Sequence, residues 1–180
     1  MRIISGTYRG RQIYPPRNFK ARPTTDFAKE SLFNILNNHF DFEGMDILDL
    51  FSGTGSISYE FASRGARSVF AVESSSDHFR FIRQTAGQLG FDQLKVIRGD
   101  VFSFIRRPFQ SFDLIFADPP YDLPGISTLP DEIFKTNILL PGGWFILEHG
   151  SRMSFTAHPR FYQHRAYGSV NFSIFLQSEE

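Results

Sequence analysis

The sequence predicts an α/β fold, a seven-stranded and mostly parallel sheet with helices on both faces and an antiparallel hairpin at its end. Three observations carry this reading. From Met45 onward, short apolar runs alternate with amphipathic segments at helical spacing, the pattern of successive βαβ units with right-handed crossovers. Near the end the alternation stops, and the runs 161–166 and 170–177 flank the turn Tyr167-Gly168-Ser169 with no helix between them. Several of the predicted strands also end on an acidic residue, and the carboxyl ends of strands are where open α/β sheets bind ligands.

The elements follow in order. Residues 2–14 alternate around Gly6 and Gly10, with Ile3, Ile4, Tyr8 and Ile13 as strand formers, and predict a short β-hairpin stopped by Pro15-Pro16. Thr25 to Phe40 places Phe27, Leu32, Phe33, Ile35, Leu36 and Phe40 near helical spacing, with Thr25 or Asp26 as N-cap. Then come strand 46–51, helix 56–64, strand 68–73, helix 76–89, strand 94–98 and a short helix 101–107. Strand 112–117, helix 128–139 and strand 143–148 complete the series before the hairpin.

A chain of 180 residues with 41% apolar content can bury an ordinary core as one domain, residues 1–180, in which 1–44 form an N-terminal extension of hairpin and helix. It has no cysteine, which removes disulfides, thiolate metal sites and thiol nucleophiles. No stretch approaches the ~20 apolar residues of a membrane span and no apolar leader is evident, so a soluble cytoplasmic protein is expected. Net charge is zero, but its distribution is uneven: Arg2, Arg9, Arg11, Arg17, Lys20, Arg22 and Lys29 in the first thirty residues face only Asp26 and Glu30. Such a segment is either a solvated face or a surface that neutralises phosphates, and the planar fork of arginine suits the second.

The first strand leads into Asp49-Leu50-Phe51-Ser52-Gly53-Thr54-Gly55 and then a helix. Gly53 and Gly55 permit a tight turn and close approach of backbone to a ligand, although Ser58 replaces the third glycine of the dinucleotide fingerprint. Glu73, at the end of the second strand, is placed to accept ribose hydroxyls, and Asp100, followed by Val101, to accept an adenine amino group after the third. Each acid could instead cap the turn or helix beside it. Their shared location favours a nucleoside pocket.

Asp118-Pro119-Pro120-Tyr121 follows the apolar run Phe112 to Ala117. Two acceptors, the Asp118 carboxylate and the Pro119 carbonyl, can hold the hydrogens of an amine, and Tyr121 can stack on a base. Taken alone, Asp-Pro-Pro is also ordinary turn chemistry. The absence of a thiol disfavours methylation at pyrimidine carbon 5, which proceeds through a thiolate adduct. The five histidines have no metal-ligand spacing, and no metal is expected.

The Asp49 to Gly55 loop, Glu73, Asp100 and Asp118 to Tyr121 resemble motifs I to IV of class I (Rossmann-like) S-adenosylmethionine-dependent methyltransferases. Arg2-Ile3-Ile4-Ser5-Gly6, Arg9-Gly10-Arg11, Arg22-Pro23-Thr24-Thr25-Asp26 and Glu30-Ser31-Leu32-Phe33 resemble the N-terminal signature of the bacterial RsmD family, as do Leu140-Pro141-Gly142-Gly143, Glu148-His149 and Tyr167-Gly168 further on. That resemblance implies methylation of the exocyclic N2 of one guanine, position 966, in 16S ribosomal RNA of the small ribosomal subunit. It implies S-adenosylmethionine as donor, S-adenosylhomocysteine as product and no metal. Cofactor contacts would fall on Asp49, Phe51, Ser52, Gly53, Gly55, Glu73, Asp100, Val101 and Asp118, and catalysis on Asp118, Pro119 and Tyr121. RNA contacts would fall on Arg2, Arg9, Arg11, Arg17, Arg22 and Thr24. The family usually carries arginines where Phe27 and Lys29 stand here; if those arginines contact RNA, this chain would bind it with a modified first helix, without a phosphate contact from Phe27. A monomer is expected. Three rivals stay open at this level: a nicotinamide-dependent oxidoreductase, an RNA-binding module without catalysis, and an amino-methyltransferase acting on adenine or on DNA.

Overall fold

The computed structural model describes residues 1–20 and 24–180. Its elements run α1 (Asp26–Asn37), β1 (Asp46–Leu50), α2 (Ser56–Ser63), β2 (Ser68–Glu73), α3 (Ser76–Leu89), β3 (Leu94–Arg98), α4 (Val101–Arg106), β4 (Phe112–Ala117), α5 (Leu129–Phe134), β5 (Leu139–His149), β6 (Phe161–Tyr167) and β7 (Val170–Leu176). All seven strands join one sheet in the order β3-β2-β1-β4-β5-β7-β6. Strands β1 to β5 are parallel, and β7 lies antiparallel between β5 and β6. The mostly parallel sheet and its terminal hairpin match the expectation from sequence.

Both faces of the sheet are covered, which is why its central strands read as nearly continuous apolar runs. Ile47, Ala71, Leu114, Phe116 and Ile146 bury one face beneath α1, α2 and α3, whose Leu32, Phe33, Phe61 and Ile82 complete that core. Alternate residues, among them Leu48, Val72, Ile115, Ala117 and Phe145, bury the other face beneath Ile105 of α4 and Leu129 and Ile133 of α5. Helix starts follow capping chemistry: Thr25 accepts from the Ala28 amide, Ser75 from His78 and Asp100 from Ser103.

Three elements differ most from the sequence expectation: α5, β5, which begins at Leu139 instead of 143, and the N-terminal hairpin. Helix α5 ends at Phe134, after a short 3-10 turn at Ile126–Thr128, instead of continuing to 139. Ile138 and Leu139 keep the apolar pattern going but are claimed by the sheet: β5 begins at Leu139, which pairs with Phe112, and the Ile138 carbonyl just before it accepts from the Phe112 amide. The expected N-terminal β-hairpin is reduced to one bridge, Arg2 to Gln12, with a few flanking backbone bonds. Much of its hydrogen bonding goes elsewhere. The Ile4 and Ser5 amides donate to the Glu60 carboxylate at 2.8 and 3.0 Å, and Thr7 donates to the Ser63 carbonyl. Gly6, at φ +85°, lies so close to α2 that a Cβ would stand 1.9 Å from the Ser63 oxygen.

Candidate active site

The strand order turns at β1, which has β2 on one side and β4 on the other. A crevice opens at such a switch point outside the carboxyl ends of the strands. Here the loops leaving β1 and β4 carry Asp49 to Gly55 and Asp118 to Tyr121, so the topology sets the two motifs against each other.

Strand alternation aims the acids. Asp49, Glu73, Asp118 and Glu148 each stand two residues beyond a residue of the same core face, Ile47, Ala71, Phe116 and Ile146 respectively. Four carboxylates from adjacent strands thus gather on one side of the crevice. Asp49 is buried and accepts 2.6 Å from the Ser58 hydroxyl. Burial, reinforced by the nearby Glu73 charge, pushes its carboxyl up to about 7. Glu73 reaches over the glycine loop and accepts from the Gly53 amide at 2.7 Å and the Ser75 amide at 2.9 Å. Asp118, at the mouth, is raised well above the usual carboxylate range by desolvation and by the charges of Glu148 and Asp49, partly offset by a bond from Thr24.

Backbone conformation is strained at this loop. Phe51 has φ +59°, the one non-glycine residue with positive φ among those described, and Gly53 and Gly55 follow at +57° and +85°. A Cβ on Gly55 would stand 2.7 Å from the ring of Tyr59, which is itself fully buried. The loop therefore passes tightly over α2, leaving a backbone cradle at that helix's start.

The other expected site residues fall as follows. Ser52 lies beneath the loop, its hydroxyl donating to the Asp49 carbonyl at 2.7 Å. Asp100 is exposed and caps α4 with a 2.8 Å bond from the Ser103 amide, while Val101 is buried behind it. Pro119 is buried; Tyr121 is 51% exposed, and its hydroxyl donates to Glu148 at 3.2 Å. Arg9, Arg11 and Arg17 are exposed, and Arg2 lies 3.8 Å from Asp26. Thr24 meets Asp118 instead of lying out with the arginines. Arg22 lies outside the described residues.

Lys29 is not a surface cation. It is 1% exposed, donates to the Arg2 carbonyl at 2.6 Å and to the Ser56 hydroxyl at 3.1 Å, and pairs with the buried Glu60 at 3.5 Å. Phe27, 66% exposed, meets Tyr167 edge-on. Sequence reasoning assigned no role to Glu148, which is 5% exposed and whose Oε2 has no hydrogen-bond partner among the described residues. The available signal was the one used elsewhere, an acid closing the apolar run Trp144 to Leu147.

The family described as Conserved hypothetical protein 95 matches residues 1–176. The chain is 33% identical over 154 residues to ribosomal RNA small subunit methyltransferase D of Buchnera aphidicola subsp. Baizongia pistaciae, covering 86% of this chain and 78% of that protein. It is likewise 33% identical over 152 residues to the enzyme of that name from Haemophilus influenzae, covering 82% and 78%. The structure of the Escherichia coli yhhF protein superposes with a TM-score of 0.87 at 21% identity, over 100% of this chain and 99% of that one. Fold, crevice and relatives together define a class I S-adenosylmethionine-dependent methyltransferase, which closes the nicotinamide reading. Within that class, the chain belongs to the RsmD family.

The cradle fits the donor that this class uses. An open backbone loop at Gly53 to Gly55, an acid bonded to that loop and further carboxylates facing the crevice suit a ligand carrying ribose hydroxyls and positive charge. Among the described residues no group of three or more His, Asp or Glu could hold a metal ion. No helix among them is long and apolar enough to cross a membrane.

Proposed function

We propose that this protein transfers the methyl of S-adenosylmethionine to the exocyclic N2 amine of a guanine in 16S ribosomal RNA, position 966 of the small subunit. The observation that carries the proposal is the placement of Asp118 and Pro119 opposite the glycine loop at the switch point. Names of relatives at 33% identity support ribosomal RNA as substrate, and the exposed Arg9, Arg11 and Arg17 supply a surface for its phosphates.

In this reading Gly53, Gly55, Phe51 and Ser52 shape the donor's cradle, Glu73 holds the ribose, and Asp100 with Val101 borders the adenine. Asp49 and Asp118 face the charged end. The donor supplies an electrophilic methyl on a sulfonium. Guanine's amine is a weak nucleophile because its lone pair is delocalised into the ring, so orientation matters more than a strong base. The Asp118 carboxylate and the Pro119 carbonyl accept the amine's two hydrogens and turn its lone pair toward the methyl. Asp118 then takes the proton that the methylated amine must lose, a task suited to a carboxyl whose proton affinity burial has raised. Tyr121 stacks on a base swung out of its RNA context, a contact worth about 1–3 kcal/mol.

The reading further takes residues 1–180 as one methyltransferase domain with 1–44 as its extension, working as a cytoplasmic monomer on RNA within an assembling or assembled subunit. Labelled methyl transfer to undermodified small subunits, followed by mapping of the modified nucleotide, tests it. Label at guanine N2 is expected. Label at another atom refutes the guanine assignment, and no transfer to RNA refutes the substrate class.

A further inference from the structure

Glu148 has no part in the chemistry described so far, yet it occupies a telling position. In the parallel pairing of β4 with β5, Ala117 lies opposite Leu147, so Asp118 and Glu148 are the next pair along, about one strand spacing of 4.8 Å apart. One oxygen of Glu148, Oε1, accepts from the Tyr121 hydroxyl. The other, Oε2, is buried with no partner among the described residues. A buried acceptor left unsatisfied beside a proposed catalytic carboxylate asks for an explanation, and a ligand donor is the simplest one.

Resting on the guanine reading above, we propose that Glu148 is the specificity-determining residue of the site, its free oxygen accepting the N1–H of guanine while Asp118 and Pro119 hold the adjacent amine. The chemistry of the bases makes the choice sharp. Of the four, only guanine has a ring N–H beside its exocyclic amine. Adenine N1 and cytosine N3, the atoms beside their amines, are lone-pair acceptors and would face a carboxylate with no hydrogen between them. A site built to accept that hydrogen rejects bases lacking it, because both polar groups are then left unpaired. Tyr121 complements the arrangement: its hydroxyl fixes Glu148, and its ring packs against Gly150, where a Cβ would stand 3.3 Å away. Burial lifts the Glu148 carboxyl to about 7, and a hydrogen-bond donor at Oε2 favours its charged form.

The test is a donor-acceptor swap. RNA is prepared with 2-aminopurine at the target position, which keeps the amine at carbon 2 but presents an acceptor at N1. Wild-type protein and Glu148→Gln are compared on both substrates by kcat/KM. Glutamine is isosteric; with its carbonyl on Tyr121, its amide NH2 points where Oε2 was. The wild type should prefer guanine, and E148Q should shrink the guanine to 2-aminopurine ratio by about tenfold or more, partly by gaining on 2-aminopurine. 2-Aminopurine also lacks O6, and that difference is common to both proteins and cancels in the ratio of ratios. An unchanged ratio overturns the assignment while leaving guanine methylation intact, whereas failure of the wild type to methylate guanine N2 at all removes the underlying reading. Should E148Q fail to fold, the wild type alone decides: equal rates on the two substrates refute the proposal, and strong preference for guanine over both 2-aminopurine and 1-methylguanine supports it.

Discussion

Replacing Asp49 with asparagine isolates the energetic consequence of crowding acids into the crevice. Asp49 has an ordinary value of 3.8 and is held near 7 in the folded protein, with burial the main cause. A folded-state value above the unfolded one means that the native protein keeps a proton the unfolded chain has released. Stability is therefore lost as pH rises between 3.8 and 7 and levels off above that window. Integrating the linkage, ionisable Asp49 costs about 2 kcal/mol at pH 5 and about 4 kcal/mol at pH 8, a difference of about 2–3 kcal/mol. The residue is 1% exposed, so solvent screening does not reduce this.

The asparagine side chain retains an oxygen to accept from the Ser58 hydroxyl and has nothing to titrate. Urea unfolding of both ligand-free proteins at pH 5, 6.5 and 8 gives the difference directly. The stability of D49N relative to wild type should climb by about 2–3 kcal/mol from pH 5 to pH 8, whatever its offset at pH 5. Glu148 titrates in both proteins and drops out of the subtraction, while Asp118, which the Asp49 charge helps to raise, adds a smaller change of the same sign. A difference that stays flat across this range refutes the argument that burial holds the Asp49 proton.

Four more outcomes are expected. Asp118→Ala should bind S-adenosylhomocysteine much as wild type does while methyl transfer falls about a hundredfold or more, read by calorimetry and by labelled transfer; equal turnover would remove the proposed role and favour a non-catalytic binding module. Lys29→Met leaves Glu60 buried without one of its two cations and should lower unfolding free energy by about 3 kcal/mol, measured in urea. Gly55→Ala places a methyl against the Tyr59 ring at a left-handed φ, so donor affinity should weaken about tenfold along with a loss of about 1–2 kcal/mol in stability. Affinity for cationic S-adenosylmethionine relative to its uncharged-sulfur product should rise from pH 6 to pH 8, as Asp49 and Glu148 ionise through values near 7.

Legibility followed the range of the interactions. Strand β2 and helix α3 stand at the limits expected from sequence, because both-face burial writes a strand as an apolar run and Ser75 and Gly90 punctuate the helix locally. The glycine loop and the Asp118 tetrapeptide were legible as motifs at strand ends. The N-terminal hairpin was legible only in part: its two arms meet at Arg2 and Gln12, but the Ile4 and Ser5 amides bond Glu60, more than fifty residues away, and no local pattern carries that information. Helix α5 was overextended because Ile138 and Leu139 continue an apolar spacing that the sheet then claims. Lys29 read as a departure at an RNA-facing position; its neighbour in space, Glu60, sits inside α2, where an acid of an amphipathic helix is ordinarily solvated.

That buried pair changes what the basic N-terminus is. By charge alone, residues 1–30 could be a solvated arm. Yet Ile3 and Ile13 are core residues, and Glu60 is filled by two backbone amides, Arg64 and Lys29. Detaching the segment would strand a buried carboxylate with most of its partners gone, a loss larger than exposed arginines could offset. The same segment reaches the crevice at two points, through Lys29 to Ser56 at the start of α2 and through Thr24 to Asp118. Arg9 and Arg11 therefore project from chain that is packed against the core at Ile3 and Ile13. On the RNA reading proposed above, a phosphate held by these arginines is held by packed chain, which serves positioning in a way that a detached basic arm would not.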